Sequence, residues 1–214
     1  VDLATIQQAS VRAFADRGFA ATGIRDIARN AGVTSGALYH YATSKEELLI
    51  AVMRISLTEL SRLAAEAVTD QPEPASQLAQ LVRTHVALQA TSPQTALVVD
   101  REVRALSEDN QRAAMSLRDD YEAHWRTVLD AGIAECVFDV PDPRVARLAL
   151  LEMCNGVANW YRPDGALGLA ELQEVFVRLA FGLAGCQRSS AASIGSYVEM
   201  KPLSCEPISR TTTG

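Results

Sequence analysis

Paired cysteines, strand-like alternation and long apolar runs are all missing from this 214-residue chain, and each absence removes a class of protein. The four cysteines, Cys136, Cys154, Cys186 and Cys205, form no C-x-x-C pair and none stands at ligand spacing from a histidine. Neither a metal site nor a disulfide framework is expected. There are only three histidines, His40, His85 and His124, and no G-x-S-x-G elbow, H-E-x-x-H pair or glycine-rich phosphate loop. A catalytic centre and a cofactor are therefore not expected either. Adjacent acids such as Asp119 and Asp120 diverge around a helix and make no acid–base pair. Aromatic residues amount to 6% and period-2 patterning is scarce, which excludes an all-β fold. Apolar runs such as Leu179 to Cys186 fall far short of the roughly 18 residues of a membrane helix. No basic-then-apolar leader opens the sequence, so a cytoplasmic location with no membrane contact is expected.

Proline is absent up to Pro72, and the charge is divided unevenly. Residues 1–55 carry six Lys/Arg against five Asp/Glu, whereas the rest carries 14 against 21. An acidic body joined to a near-neutral N-terminal module remains compatible with DNA, because only the charge facing phosphate matters. Leu3, Ile6, Val11 and Phe14 line one side of a first helix, about 2–17, that stops at Gly18. Thr22 is placed to cap a second helix of about 23–31, which buries Ile24, Ile27, Ala28 and Ala31 and ends at Gly32. A third begins at Thr34 or Ser35 and runs to about 40. So short a link forces the second and third helices to cross steeply, as in a helix-turn-helix.

Ser44 and Glu47 form a capping box that opens a long helix to about residue 68. Beyond Pro72-Glu73-Pro74, helices are predicted at about 75–91, 94–106, 108–137, 143–161 and 169–186. Ser92-Pro93, Ser107 and Asp142-Pro143 supply start signals. The predicted fold is all-α. Residues 1–47 would form a helix-turn-helix DNA-binding domain, 48–186 a helical ligand-binding and dimerisation bundle, and 187–214 a disordered tail.

The stretch from Thr22 to Leu49 includes Ile27-Ala28, Ala31-Gly32-Val33, Gly36, Leu38-Tyr39, Tyr41 and Ser44-Lys45-Glu46. It resembles the DNA-binding module of the TetR family of one-component transcriptional regulators. The resemblance implies a homodimer that binds a palindromic double-stranded DNA operator, usually as a repressor, and is released by a small hydrophobic effector. It also implies that Tyr41 is a packed aromatic. A recognition helix must be slim and polar-tipped to enter a major groove about 12 Å wide. Thr34, Ser35, Ala37 and His40 offer that face, with Tyr39 reaching a phosphate or base. Thr22, Lys45 and Arg25 are candidates for backbone phosphates near helix N-termini. Core packing for Tyr39, a solvated charge for Lys45 and an ion pair with Asp26 for Arg25 or Arg29 are the alternatives.

In the body, Tyr121 and Trp125 lie one turn apart, as do Asn155 and Asn159 beside Trp160. These residues could line a pocket or fill an ordinary core. Arg101 and Arg104 could serve a ligand, although Asp100 and Arg104 stand at ion-pair spacing. Asn159 to Gly165 is similar to the corresponding segment of TetR-family regulators of lipid and steroid catabolism that respond to acyl-CoA thioesters. That similarity implies an acyl-CoA effector whose phosphates meet Arg101, Arg104 or Arg162. A planar drug-like effector would suit the same aromatics, and Trp160 and Arg162 could instead only finish a helix. Val145, Ala149, Met153 and Gly156 on one helix, with Val175, Leu179 and Gly182 on the next, present more apolar surface than one chain's exterior accommodates. A four-helix dimer interface is expected there. A helical enzyme and a helical adaptor without DNA binding are the competing classes.

Overall fold

The computed structural model describes residues 2–186. The expected tail at 187–214 lies outside them. Among the described residues there are helices and no strand. They are α1 (Leu3–Ala21), α2 (Ile24–Asn30), α3 (Ser35–Leu38), α4 (Lys45–Thr69), α5 (Pro74–Thr91), α6 (Pro93–Arg101), a 3-10 turn at Glu102–Ala105, α7 (Glu108–Ala134), α8 (Pro143–Asn155), α9 (Val157–Trp160) and α10 (Leu169–Leu183). None is long and apolar enough to cross a membrane.

Local signals start most of these helices. The Asp2 carboxylate accepts the Thr5 N–H at 2.9 Å, and Asp142 accepts from Arg144 and Val145 at 2.9 and 3.1 Å. Ser44 Oγ accepts the Glu47 N–H at 3.1 Å, but Glu47 reaches back to Thr43 rather than to Ser44. The box thus closes one residue earlier than its usual form. Gly18, at φ +76°, interrupts helical geometry within α1 where the sequence places the stop.

Two expectations are corrected. Thr22 does not cap α2: its hydroxyl is buried and donates to the Ala13 and Gly18 carbonyls at 3.0 and 2.8 Å. Gly23 takes the cap position, its N–H held by the Asp26 carboxylate at 3.1 Å. The expected helix 143–161 divides at Gly156 into α8 and α9.

Two apolar cores organise the chain. The larger unites α5, α7, α8 and α10 around Leu78, Val82, Trp125, Leu129, Leu150 and Phe176. The N-terminal one gathers Ile6, Phe14, Ile27, Leu38, Leu49 and Met53, and also takes in Val98 of α6, Leu106 and Ala114 of α7. The N-terminal module therefore shares its core with the helices that wall the body. A polar clasp reinforces that junction, because Glu46 Oε1 accepts from Ser107 N, Ser107 Oγ and Asn110 Nδ2 at 2.8, 2.6 and 2.8 Å. The Glu46 carboxylate thus caps α7 from another helix, and the three donors hold it below its usual range.

Candidate nucleic-acid interface and inner cavity

The turn between α2 and α3 is closed by Gly32 at φ +69° and by the Val33 N–H donating to the Ala28 carbonyl at 2.9 Å. Thr34 then caps α3, its Oγ1 accepting the Ala37 N–H at 3.1 Å. Leu38 is fully buried and pins this short helix from below. Thr34, Gly36, Tyr39 and His40 are consequently exposed, with Ser35 and Ala37 half-buried between them. Tyr39 is 54% exposed. Tyr41 is 41% exposed, so it is not the packed aromatic that the resemblance implied.

The flanking cations divide. Arg25 is exposed and makes no ion pair among the described residues, whereas Arg29 and Arg17 both pair with Asp26. Lys45 faces inward: its Nζ donates to the carbonyls of Phe19, Thr22 and Ala20 at 2.7, 3.0 and 3.3 Å, and lies 4.3 Å from the Phe19 ring centroid. An ammonium has three N–H donors, and here all three meet carbonyls at the end of α1. Lys45 is thus a clamp on α1, and Thr22 is a buried brace. Neither side chain is left with a group to offer a phosphate.

Within the body, α4, α5, α6, α7 and α8 enclose a cavity of about 150 Å³. Leu57, Leu60, Leu88, Val99, Leu148 and Leu151 make its walls apolar. Four polar side chains from three helices meet at its edge. The His85 ring contacts the Tyr121 hydroxyl through Nδ1 and Asn155 Oδ1 through Nε2 at 2.9 Å, while Gln89 Nε2 donates to Asn155 Oδ1 at 3.1 Å. Burial pushes the His85 imidazole down to about 4, against the pull of Asn155, and pushes the Tyr121 phenol well up.

Of the expected pocket residues, only Tyr121 and Asn155 line this cavity. Trp125 stands behind it, fully buried and edge-on to His85 with ring centroids 5.8 Å apart. Asn159 borders a smaller adjoining space of about 100 Å³ and accepts a hydrogen bond from Arg101. Arg104 is exposed and outside the lining, and the Asp100–Arg104 pair does not form. The 3-10 turn after Arg101 breaks the helical spacing, so Asp100 approaches Arg118 instead, at 3.9 Å. Trp160 lies on the outer face, stacked on Phe176, and the Arg162 guanidinium folds back to the Tyr161 carbonyl at 2.8 Å. Cys154 is buried with its thiol pushed up, hence inert.

His85, Gln89 and Arg118 are missing from the sequence-based assignment. Nearly all of α5 is buried, so no amphipathic stripe singles out His85 and Gln89. Their only signal is two polar residues one turn apart in a helix that also carries Gln80, Arg83 and Thr84.

The depressed His85 has a measurable consequence. An unfolded imidazole titrates near 6.5, so between there and about 4 the unfolded chain takes up a proton that the folded chain refuses. Stability must fall as pH falls through that window, by about 3 kcal/mol in total. The lowered His124 adds to the same trend, and Glu46 loses its contribution only at lower pH. Urea unfolding at several pH values should show this slope, and His85→Gln should flatten most of it. An unchanged slope in that variant would contradict the assignment.

A family model described as "Bacterial regulatory proteins, tetR family" matches residues 6–52, and one described as "Tetracyclin repressor-like, C-terminal domain" matches residues 71–184. The HTH-type transcriptional repressor KstR2 of Rhodococcus jostii is 30% identical over 175 residues, which is 80% of this chain and 85% of that protein. The fatty acid metabolism regulator protein of Bacillus subtilis is 27% identical over 81% of this chain and 91% of its own length. Among solved structures, the ketosteroid transcriptional regulator KstR2 of Mycobacterium tuberculosis superposes with a TM-score of 0.77 at 25% identity, covering 86% of this chain and 93% of that one.

Proposed function

The chain belongs to the TetR family of bacterial regulatory proteins, and from that membership we propose that it is a homodimeric repressor released from a palindromic operator by an acyl-CoA thioester. The family consists of DNA-binding transcription regulators, not enzymes. The observation that carries the reading is the exposure of Thr34, Gly36, Tyr39 and His40 around the buried anchor Leu38. In this reading Thr34, Ser35, Ala37, Tyr39 and His40 enter the major groove and Arg25 meets a phosphate. The dimer uses α8 and α10, where Val145, Leu148 and Leu179 are exposed. Gly182 supports it: a Cβ there would meet nothing within 4 Å among the described residues, so a second chain's close approach supplies the reason for glycine in mid-helix.

The effector reading draws on the apolar cavity and on relatives named for ketosteroid regulation and fatty acid metabolism. A cavity of about 150 Å³ holds a group the size of benzene. A bulkier acyl group must push the walls apart, and α6 is one of them: Thr95, Ala96 and Val99 face the cavity, while Val98 belongs to the N-terminal core. Ligand bulk would thereby reach the DNA-binding module. The thioester's phosphates stay outside, with exposed Arg101 and Arg104, because Asp100, Glu122 and Glu152 make the cavity rim acidic.

Operator binding by fluorescence anisotropy tests both parts. Tyr39→Ala should weaken binding about tenfold, the effect of losing one or two specific contacts, with no loss of thermal stability. A ring-bearing acyl-CoA should release the operator and the free acid should not. Full affinity in Tyr39→Ala would remove the contact assignment, and equal release by acid and thioester would remove the coenzyme A reading.

A further inference from the structure

The inner cavity carries its own chemical selectivity, set by the direction of the hydrogen bonds at its edge. Gln89 Nε2 stands 3.0 Å from His85 Nε2 and 3.1 Å from Asn155 Oδ1, and His85 Nε2 itself lies 2.9 Å from that oxygen. An amide oxygen only accepts, so His85 Nε2 is assigned as a donor to Oδ1 and the Gln89 N–H is directed at Oδ1 rather than at the ring. A neutral imidazole with Nε2 protonated has an acceptor at Nδ1, and the Tyr121 hydroxyl gives its proton there. That chain fixes what remains for a ligand. Asn155 Nδ2 keeps its N–H donors without a partner among the described residues, and the Tyr121 oxygen, its proton committed, keeps a lone pair. One strong donor and one acceptor therefore stand at the edge of a space to which five leucines contribute apolar wall.

Charge narrows the choice further. Asp100, Glu122 and Glu152 line the cavity, against the single cation Arg118. The Arg118 guanidinium is itself held by the Val99 carbonyl and by Asp100. Glu122 is paired with Arg147 at 3.2 Å, and Glu152 makes no ion pair among the described residues. An entering carboxylate would meet like charge and find no free cation, at a high desolvation cost. A hydrocarbon would leave Asn155 Nδ2 desolvated and unsatisfied.

We propose that the Tyr121–His85–Asn155–Gln89 cluster is a receptor for an uncharged oxygen, a carbonyl or a hydroxyl, on the apolar portion of the effector, and that it excludes carboxylates from the cavity. The inference rests on the cavity being the effector site, but it concerns the buried end of the ligand and needs no coenzyme A. Asn155 donates to the ligand oxygen, and a hydroxyl ligand can also donate to Tyr121. The test uses probes sized to the cavity: cyclohexanone, cyclohexanol, methylcyclohexane and cyclohexanecarboxylate, titrated into the full chain by calorimetry.

Cyclohexanone and cyclohexanol should bind at least about tenfold more tightly than the hydrocarbon or the acid, as expected when a built hydrogen-bonding site is left unpaired by the wrong ligand. Asn155→Asp keeps an acceptor for His85 and Gln89 but replaces the donor, so it should lose cyclohexanone and retain cyclohexanol. Tyr121→Phe serves as the second variant and should narrow the preference of cyclohexanol over methylcyclohexane, with folding checked by circular dichroism. Hydrocarbon or acid binding as tight as the ketone, no binding by any probe, or an unchanged ketone preference in Asn155→Asp would overturn the proposal. The repressor reading fails separately, through absence of operator binding.

Discussion

Val145→Glu combined with Leu179→Glu should convert the protein to a folded monomer that binds its operator at least about a hundredfold more weakly, because a two-headed contact becomes a one-headed one. Val145 and Leu179 are 60% and 51% exposed, so neither contributes much to the chain's own core and the fold should survive. With Leu148 and with Trp160, 53% exposed, they mark an apolar surface on α8, α9 and α10 that a lone chain gains nothing by presenting to water. Two carboxylates per protomer at a two-fold interface face their own copies, which adds repulsion to lost burial. Sedimentation velocity at micromolar concentration reads the state of association, and anisotropy reads the operator. A parent chain that sediments as a monomer, or a variant that remains a dimer, would refute the assignment of this face.

Lys45→Met should lower stability by about 2–3 kcal/mol, since charge-assisted hydrogen bonds to several carbonyls and a cation–π contact disappear together. The residue opens α4, yet its ammonium lies against Phe19, Ala20 and Thr22, more than twenty residues earlier. Losing it frees the end of α1 on which α2 and α3 are mounted, so operator affinity should drop as well. The salt dependence separates this from a phosphate contact. A clamp leaves the slope of log affinity against log salt unchanged, whereas a lost phosphate contact reduces it by about one. Lys45→Arg should not restore stability, because a planar guanidinium cannot direct its donors at carbonyls grouped around one point. A variant with parental stability and a shallower salt slope would restore Lys45 to the DNA-facing set.

The helical stops and starts were legible because they depend on neighbours within about four residues. Thr34 caps α3 through Ala37, Asp142 caps α8 through Arg144 and Val145, and Gly18 and Gly32 take positive φ where the chain turns. The exposed run from Thr34 to His40 follows from the same local logic once Leu38 is recognised as the buried anchor. Ser107 shows the limit of that logic. It does occupy the N-cap of α7, yet the group that satisfies its N–H is Glu46, from another helix.

The sequence by itself determined an all-α chain, a helix-turn-helix at its N-terminus, the exposure of Thr34, Tyr39 and His40 around buried Leu38, and an apolar face on its last helices. These are written in spacing, capping and periodicity, which act along the chain. Tertiary structure alone decided that Lys45 and Thr22 turn inward, that Trp160 and Arg162 stand outside the cavity, and that His85, Gln89, Tyr121 and Asn155 converge from three helices at its edge. A buried polar group takes whichever partner packing brings within hydrogen-bond distance, and for Lys45, His85, Tyr121 and Asn155 that partner is more than twenty positions away.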